Sequence, residues 1–190
     1  MAPADPLPPW RTQLSGARRR EGRSPLARWL QLGTVAADGT PRVRTLVFRG
    51  WAGASVLDLL TDARSAKATE LALQPAVELC WLLPRARCQF RMRGSLLALP
   101  AAQLAVERQR HWDQLTPAGR ALWGWPPPGS PLQVDGDFPE ELPADLPVPQ
   151  AFQLLRIALN QVEMLALGAL PHRRLRWRAE AAWAEEPLNP

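Results

Sequence analysis

Apolar and polar positions alternate in ways that predict most of the elements. Over residues 10–23, Trp10, Leu14 and Ala17 recur at helical spacing behind a proline-bearing lead-in, which predicts an amphipathic helix. Residues 30–36 and 41–50 alternate on either side of Ala37-Asp38-Gly39-Thr40, and Asp-Gly between two such runs predicts a β-hairpin. In its second arm Val43, Thr45 and Val47 alternate with Arg42, Arg44, Leu46 and Phe48, so one face carries arginine early and apolar groups later. Residues 55–60 form a short apolar strand. A helix then runs from Ser65 to about Leu73 and stops before Pro75. Residues 77–83 and 88–99 are strands around the tight turn Pro84-Arg85-Ala86-Arg87, and Gly94 marks a bulge or a close backbone approach.

Residues 101–110 and 117–123 are helical by composition. The stretch 125–149 differs: it holds eight prolines, five acidic residues and no basic one, and predicts a long surface loop. Strands follow at 152–158 and 162–167, around Asn160-Gln161. Residues 173–179 set Arg174, Arg176 and Arg178 against Leu175 and Trp177, and residues 182–185 close the sheet. Seven or eight short strands with a few helices predict a mainly β (α+β) barrel. It is one domain over 1–190, with 1–28 as lead-in and helix.

Composition narrows the class. A chain of 190 residues with 46% hydrophobic and 22% charged residues is a globular domain able to bury a core. Its apolar runs are too short for a bilayer, and its start lacks the basic-then-apolar layout of a signal peptide. Cys80 and Cys88 provide neither a disulfide framework nor a metal cluster and read as buried small residues. A cytoplasmic protein without metal or membrane is expected. The net charge of +5 suggests nucleic acid, but the arginines are scattered and only Arg18-Arg19-Arg20 forms a run. There are 22 arginines against a single lysine, with no Tyr, one Ile and two Asn, which is the skew of a GC-rich coding bias. Nucleic-acid binding is therefore not expected, and the surviving Lys67 stands out.

The motifs of the commonest kinases, dehydrogenases, zinc hydrolases and serine hydrolases are absent, and His111 and His172 form no triad from sequence. Thr61, Ser65 and Lys67 surround a helix start, where free N–H groups and positive potential suit a phosphate. Hydroxyls in such places also serve simply as caps, and local features alone favour the cap.

Several segments in order resemble the pyridoxamine phosphate oxidase superfamily. They are Arg44-Thr45-Leu46-Val47-Phe48-Arg49, Leu57-Asp58-Leu59-Leu60-Thr61 with Ser65-Ala66-Lys67, Gln74-Pro75-Ala76-Val77, and Gln89 five residues before Gly94. At the C-terminal end they are Phe152-Gln153-Leu154-Leu155-Arg156-Ile157, Val162-Glu163-Met164-Leu165, His172-Arg173-Arg174, and Trp183 ahead of Leu188-Asn189-Pro190. The resemblance implies a split β-barrel that binds FMN at the interface of a homodimer. It implies that Arg44 contacts the FMN phosphate, that Thr45, Leu46 and Val47 run along the isoalloxazine ring, and that Leu60, Thr61, Ser65 and Lys67 complete the phosphate and ribityl contacts. Gln89 would bond the flavin ring, and Arg174 would reach it from the second subunit.

The departures fall on the substrate side. Arg49 stands where the oxidases carry Lys, Leu165 where an aromatic stacks, and Leu170 where an Arg precedes His172 by two positions. The oxidases' Tyr, Arg and Ser set for the substrate phosphate has no counterpart in the sequence. This leaves Arg49 and His172 as the substrate-binding candidates and predicts little or no turnover of pyridoxamine phosphate. Two functions remain: an FMN-dependent oxidoreductase of unidentified substrate, with FMN or a deazaflavin, or a non-catalytic flavin- or haem-binding dimer. Trp125 ahead of three prolines is a lid or a packing anchor.

Overall fold

A computed structural model describes residues 6–143 and 145–190. Helix α1 (Pro9–Glu21) starts on a proline, whose missing N–H costs nothing at a first turn, and ends at Gly22 with φ +63°. Its buried side is Trp10, Leu14, Ala17 and Glu21, one helical stripe. The hairpin of β1 (Trp29–Val35) and β2 (Pro41–Trp51) has the expected register, Thr34 opposite Arg42 and Trp29 opposite Val47. At its turn Gly39 takes φ +80° and Asp38 Oδ1 accepts from the Thr40 N–H.

Next come β3 (Val56–Asp62), α2 (Ala66–Leu73), β4 (Ala76–Leu83) and β5 (Cys88–Leu96). Helices α3 (Ala101–Asp113) and α4 (Pro117–Arg120) lead to a 3-10 turn, Ala121–Trp123. After the proline-rich segment, which has no helix or strand among its described residues, come β6 (Phe152–Ala166), β7 (Arg173–Arg178) and β8 (Glu186–Leu188). The strand order is β3-β2-β1-β4-β5-β6, and β6 pairs back onto β3 to close a six-stranded antiparallel barrel. No helix among the described residues is long and apolar enough to cross a membrane.

Two expectations change. Residues 152–166 form one continuous strand, where two were expected around Asn160-Gln161. Gln161 faces Arg93 and Leu159 faces Gly94, so Asn160 is the extra residue of a bulge. The polar pair that reads as a turn bends the strand without ending it. Gly94 then meets both readings given to it: it lies at the bulge, and a Cβ there would come 2.3 Å from the Ala158 carbonyl oxygen. The closing strand also lies later than 182–185, because Ala179–Ala181 is a 3-10 turn and Ala182 and Trp183 take positive φ.

Strand β6 changes neighbours along one edge. Its first half, Phe152 to Ala158, pairs with β3, and its second half, Gln161 to Ala166, pairs with β7. The barrel interior holds Leu30, Leu32, Leu57, Leu59, Leu79, Trp81, Phe90, Met92 and Ile157, capped by Trp10 of α1. A second cluster sits outside the wall, where Leu60 of β3 and Phe152 and Leu154 of β6 pack on Trp112, Leu115 and Trp123. Strand β3 is thus buried on both faces, which explains its nearly unbroken apolar run.

Candidate functional site

The outer flank of β2 and β3 carries a cavity of about 440 Å³. It is lined by Thr45, Leu46, Val47 and Arg49 of β2, by Leu60 and Thr61 of β3, and by Lys67 from the first turn of α2. Trp123, Trp125, Pro126 and Pro128 form the opposite wall. The Trp123 indole donates to the Thr61 carbonyl at 3.2 Å, and Arg64 donates to the Trp125 carbonyl at 3.1 Å while paired with Asp62. Trp125 lines the cavity, and its indole anchors the loop by donating to the Pro139 carbonyl at 2.9 Å, the packing role expected of it.

At one end the polar groups converge. The Ser65 hydroxyl makes no cap bond to α2; it donates to the Asp62 carbonyl at 2.6 Å and receives Lys67 Nζ at 3.1 Å. Thr61 Oγ1 lies 3.4 Å from Ser65 Oγ. The Ser65 hydroxyl therefore turns to the lysine, with Thr61 beside it, and leaves the first-turn N–H groups of α2 without a side-chain cap. Burial, and then the nearby Arg44 guanidinium, push the Lys67 ammonium below its ordinary pKa, partly opposed by Asp62 and Glu70. A half-buried cation between hydroxyls at a helix start suits a phosphate.

Arg44 does not line the cavity. Its guanidinium donates to Glu70 at 2.7 Å and to the Thr34 hydroxyl, so much of its charge is already answered. Gln89 and Arg174 lie apart from the cavity. They sit in one cross-strand row with Leu165 between them, and both line a recess of about 90 Å³ in which Arg174 pairs with Glu163 at 2.8 Å. His172 sits on the approach to β7, held to the Ala169 carbonyl at 3.0 Å, and lines neither space. Cys88 is in the barrel core and Cys80 is half-buried, and burial raises both thiols.

Two clusters went unread in the sequence. On the side of β3 facing α3, Arg156 grips Asp58 with two bonds of 2.8 and 2.9 Å and reaches Glu107 at 2.8 Å. His111 Nε2 lies 2.9 Å from the same Asp58, and Arg110 Nη2 lies 3.3 Å from it. Burial alone would raise the Asp58 carboxyl, but Arg156 and His111 outweigh it and hold the group at about 2. Asp58, Glu107 and His111 are spaced like metal ligands, but arginines already supply the positive charge there. A signal existed: one acid inside Leu57-Asp58-Leu59-Leu60 and one arginine inside Leu154-Leu155-Arg156-Ile157, in strands where Asp58 faces Arg156.

The second cluster is Arg18 of α1, Arg28 ahead of β1, and Arg49 at the end of β2. All three line a cavity of about 290 Å³ that shares Arg49 and Leu60 with the larger one. No sequence pattern marks it, because three separate segments must dock to form it. The expectation of weak pyridoxamine phosphate turnover rested on a lack of convergent cationic donors. Arg18 and Arg28 add two cations beside Arg49 that this count of donors did not include.

A closed six-stranded antiparallel barrel with a few helices, carrying an aromatic-walled cavity on its flank, defines the split-barrel class. Comparison with known proteins gives the family. The family model for the pyridoxamine 5'-phosphate oxidase FMN-binding domain matches residues 7–100. A pyridoxamine 5'-phosphate oxidase-related, FMN-binding protein from Nostoc punctiforme is 38% identical, with 97% of this chain and 98% of that one covered and a TM-score of 0.86. Pyridoxine/pyridoxamine 5'-phosphate oxidase 2 of Arabidopsis thaliana is 29% identical over 96% of this chain and 97% of its own. PhzG from Burkholderia lata, 21% identical with a TM-score of 0.73 over 98% and 94% of the two chains, shares the fold. The chain belongs to the pyridoxamine 5'-phosphate oxidase-related, FMN-binding family.

Proposed function

We propose that this protein is an FMN-dependent oxidoreductase that works as a homodimer and acts on a small molecule. The observation carrying the proposal is the flank cavity, which gathers Thr45, Leu46, Val47, Leu60, Thr61 and Lys67 from three separate segments. Lys67, Ser65 and Thr61 would hold the phosphate. Arg44, oriented by Glu70 and Thr34, would add longer-range positive potential. The β2 backbone from Thr45 to Val47 would lie along the ring, and Trp123 and Trp125 would exclude water from the opposite side. FMN supplies hydride-accepting redox chemistry when bound, while the protein binds, orients and desolvates.

Gln89 and Arg174 share a row on the far part of the sheet, so a flavin that meets both sets takes Gln89 and Arg174 from the partner subunit. Members of the family are usually dimeric, which supports this arrangement. Arg49, which also lines the cavity, would face the substrate beside the ring.

The test is flavin titration by fluorescence quenching together with light scattering. FMN should bind well, riboflavin far more weakly, and the holoprotein should be a dimer. FMN binding to a stable monomer would refute the shared site. Equal affinity for riboflavin would refute the phosphate cluster, and a lack of flavin binding would leave a non-flavin ligand such as haem for the same fold.

A further inference from the structure

The smaller cavity beside Arg49 presents an electrostatic imbalance that the fold does not answer. Arg18, Arg28 and Arg49 line it, and no Asp or Glu does. Among the described residues none of the three has an ion-pair partner, whereas Arg44, Arg64, Arg91, Arg156 and Arg176 all do. Arg49 Nε is buried and makes no hydrogen bond. Burial first, and then the charge of Arg28, lower the pKa of both Arg18 and Arg49. Holding like charges together in a partly desolvated space costs free energy unless an anion completes the set.

The cluster is also arranged in advance. Arg18 Nε donates to the Ala27 carbonyl at 2.8 Å, and its guanidinium lies over Phe48 and Trp81 with centroid distances of 4.5 and 4.8 Å. Its plane is fixed before any ligand arrives, which spares binding much of the ordering cost. Gln114 adds an uncharged donor on the facing wall, and Leu60 and Leu115 supply apolar surface. The floor is the residue pair Arg49 and Leu60, which this cavity has in common with the proposed flavin cavity.

We propose that Arg18, Arg28 and Arg49 form an oxyanion subsite that binds the phosphate or carboxylate group of the substrate and aims its remaining part past Leu60 toward the flavin. The placement toward a flavin rests on the function proposed above; the anion site itself does not. An anion held between Arg28 and Arg18 leaves Arg49 as the bridge between recognition and chemistry. Helix α1 and the segment before β1 then determine substrate choice, although neither contributes to the flavin cavity.

Thermal shift and titration with inorganic phosphate and with benzoate, against sodium chloride at equal ionic strength, test the proposal on the protein with and without saturating FMN. Phosphate or benzoate should stabilise the wild type beyond chloride, and whichever acts more strongly names the group. Arg28→Ala, an exposed side chain outside the flavin cavity, should weaken that anion at least about tenfold, the lower end for a charge-assisted contact. Arg28→Lys should recover part of the loss. FMN affinity, read by quenching in the same variant, should stay within about twofold of wild type, as expected for a side chain that does not touch it. No stabilisation beyond chloride, or equal anion affinity in Arg28→Ala, would overturn the subsite. So would an equal loss of FMN. Anion binding lost in Arg28→Ala by a wild type that fails to bind FMN would leave the subsite standing and sink the flavin reading alone.

Discussion

Arg156 and Arg49 are both arginines on barrel strands, and their side chains meet opposite electrostatic surroundings. Arg156 is 6% exposed, and two carboxylates, Asp58 and Glu107, take up its donors. Its guanidinium is held above its ordinary pKa by those bonds, in spite of burial. Arg49 has a buried Nε with no acceptor and two arginines for company. The two clusters lie close together, and His111 belongs to the first while lining the cavity of the second. One residue type thus serves two purposes. Where the charge is fully answered it holds strands and α3 in place; where it is not, it keeps binding free energy in reserve for a ligand.

The sharpest way to break this comparison is to disarm the answered cluster. Asp58→Ala leaves Arg156 buried with one partner fewer and should cost about 3–5 kcal/mol of stability, read as a lowered urea midpoint. A fall of under about 1 kcal/mol would show that the cluster is not anchoring the fold. Acid should do the same more gently. Because the Asp58 pKa is depressed in the folded state to about 2, its contribution is fully present above the unfolded value near 4. It is lost as the pH falls through about 2, and amounts to about 2–3 kcal/mol. Asp58→Asn should remove that part of the acid slope from unfolding curves measured between those limits.

Lys67 lies between the two extremes, bonded to the Ser65 hydroxyl but without a contacting carboxylate. Lys67→Ala should weaken FMN by about 1.5–3 kcal/mol and leave riboflavin affinity nearly unchanged, as measured by fluorescence titration. The smallest effect on stability belongs to the unanswered cluster. Arg28→Ala should change the ligand-free stability, read from thermal unfolding, by no more than about 0.5 kcal/mol, with a gain if repulsion dominates. A large destabilisation would mean that Arg28 is already satisfied within the protein.

The sequence is legible where local rules decide. Asp38-Gly39 predicts the hairpin, and the stripe of Trp10, Leu14 and Ala17 predicts α1. Of the residues proposed to hold the flavin, Thr45 to Val47, Leu60, Thr61 and Lys67 share a cavity. Legibility fails where tertiary contacts choose among local options. Asn160-Gln161 has turn chemistry, but continuous pairing with β5 keeps it in a strand. Ser65 stands at a helix start yet turns its hydroxyl toward Asp62 and Lys67. Arg44 has the right position, and Glu70, one strand and one helix away, claims its guanidinium. The Arg18, Arg28 and Arg49 set depends on how α1 docks on the barrel, and no periodicity encodes that.

The bulge at Asn160 has a mechanical consequence. Arg174 faces Leu165, which lies five residues beyond Asn160 on β6. The strand between them is a lever about 16 Å long at the usual rise per residue. An angular error of about 5° at its fulcrum would displace Arg174 by about 1.4 Å, more than reactive geometry generally tolerates. The fulcrum is stiffened by Gly94, whose missing side chain lets the β5 backbone seat directly on the Ala158 carbonyl. The alignment tolerance of a residue assigned to the partner's flavin is therefore set at a glycine that lines neither the flank cavity nor the arginine cavity, in the middle of the sheet.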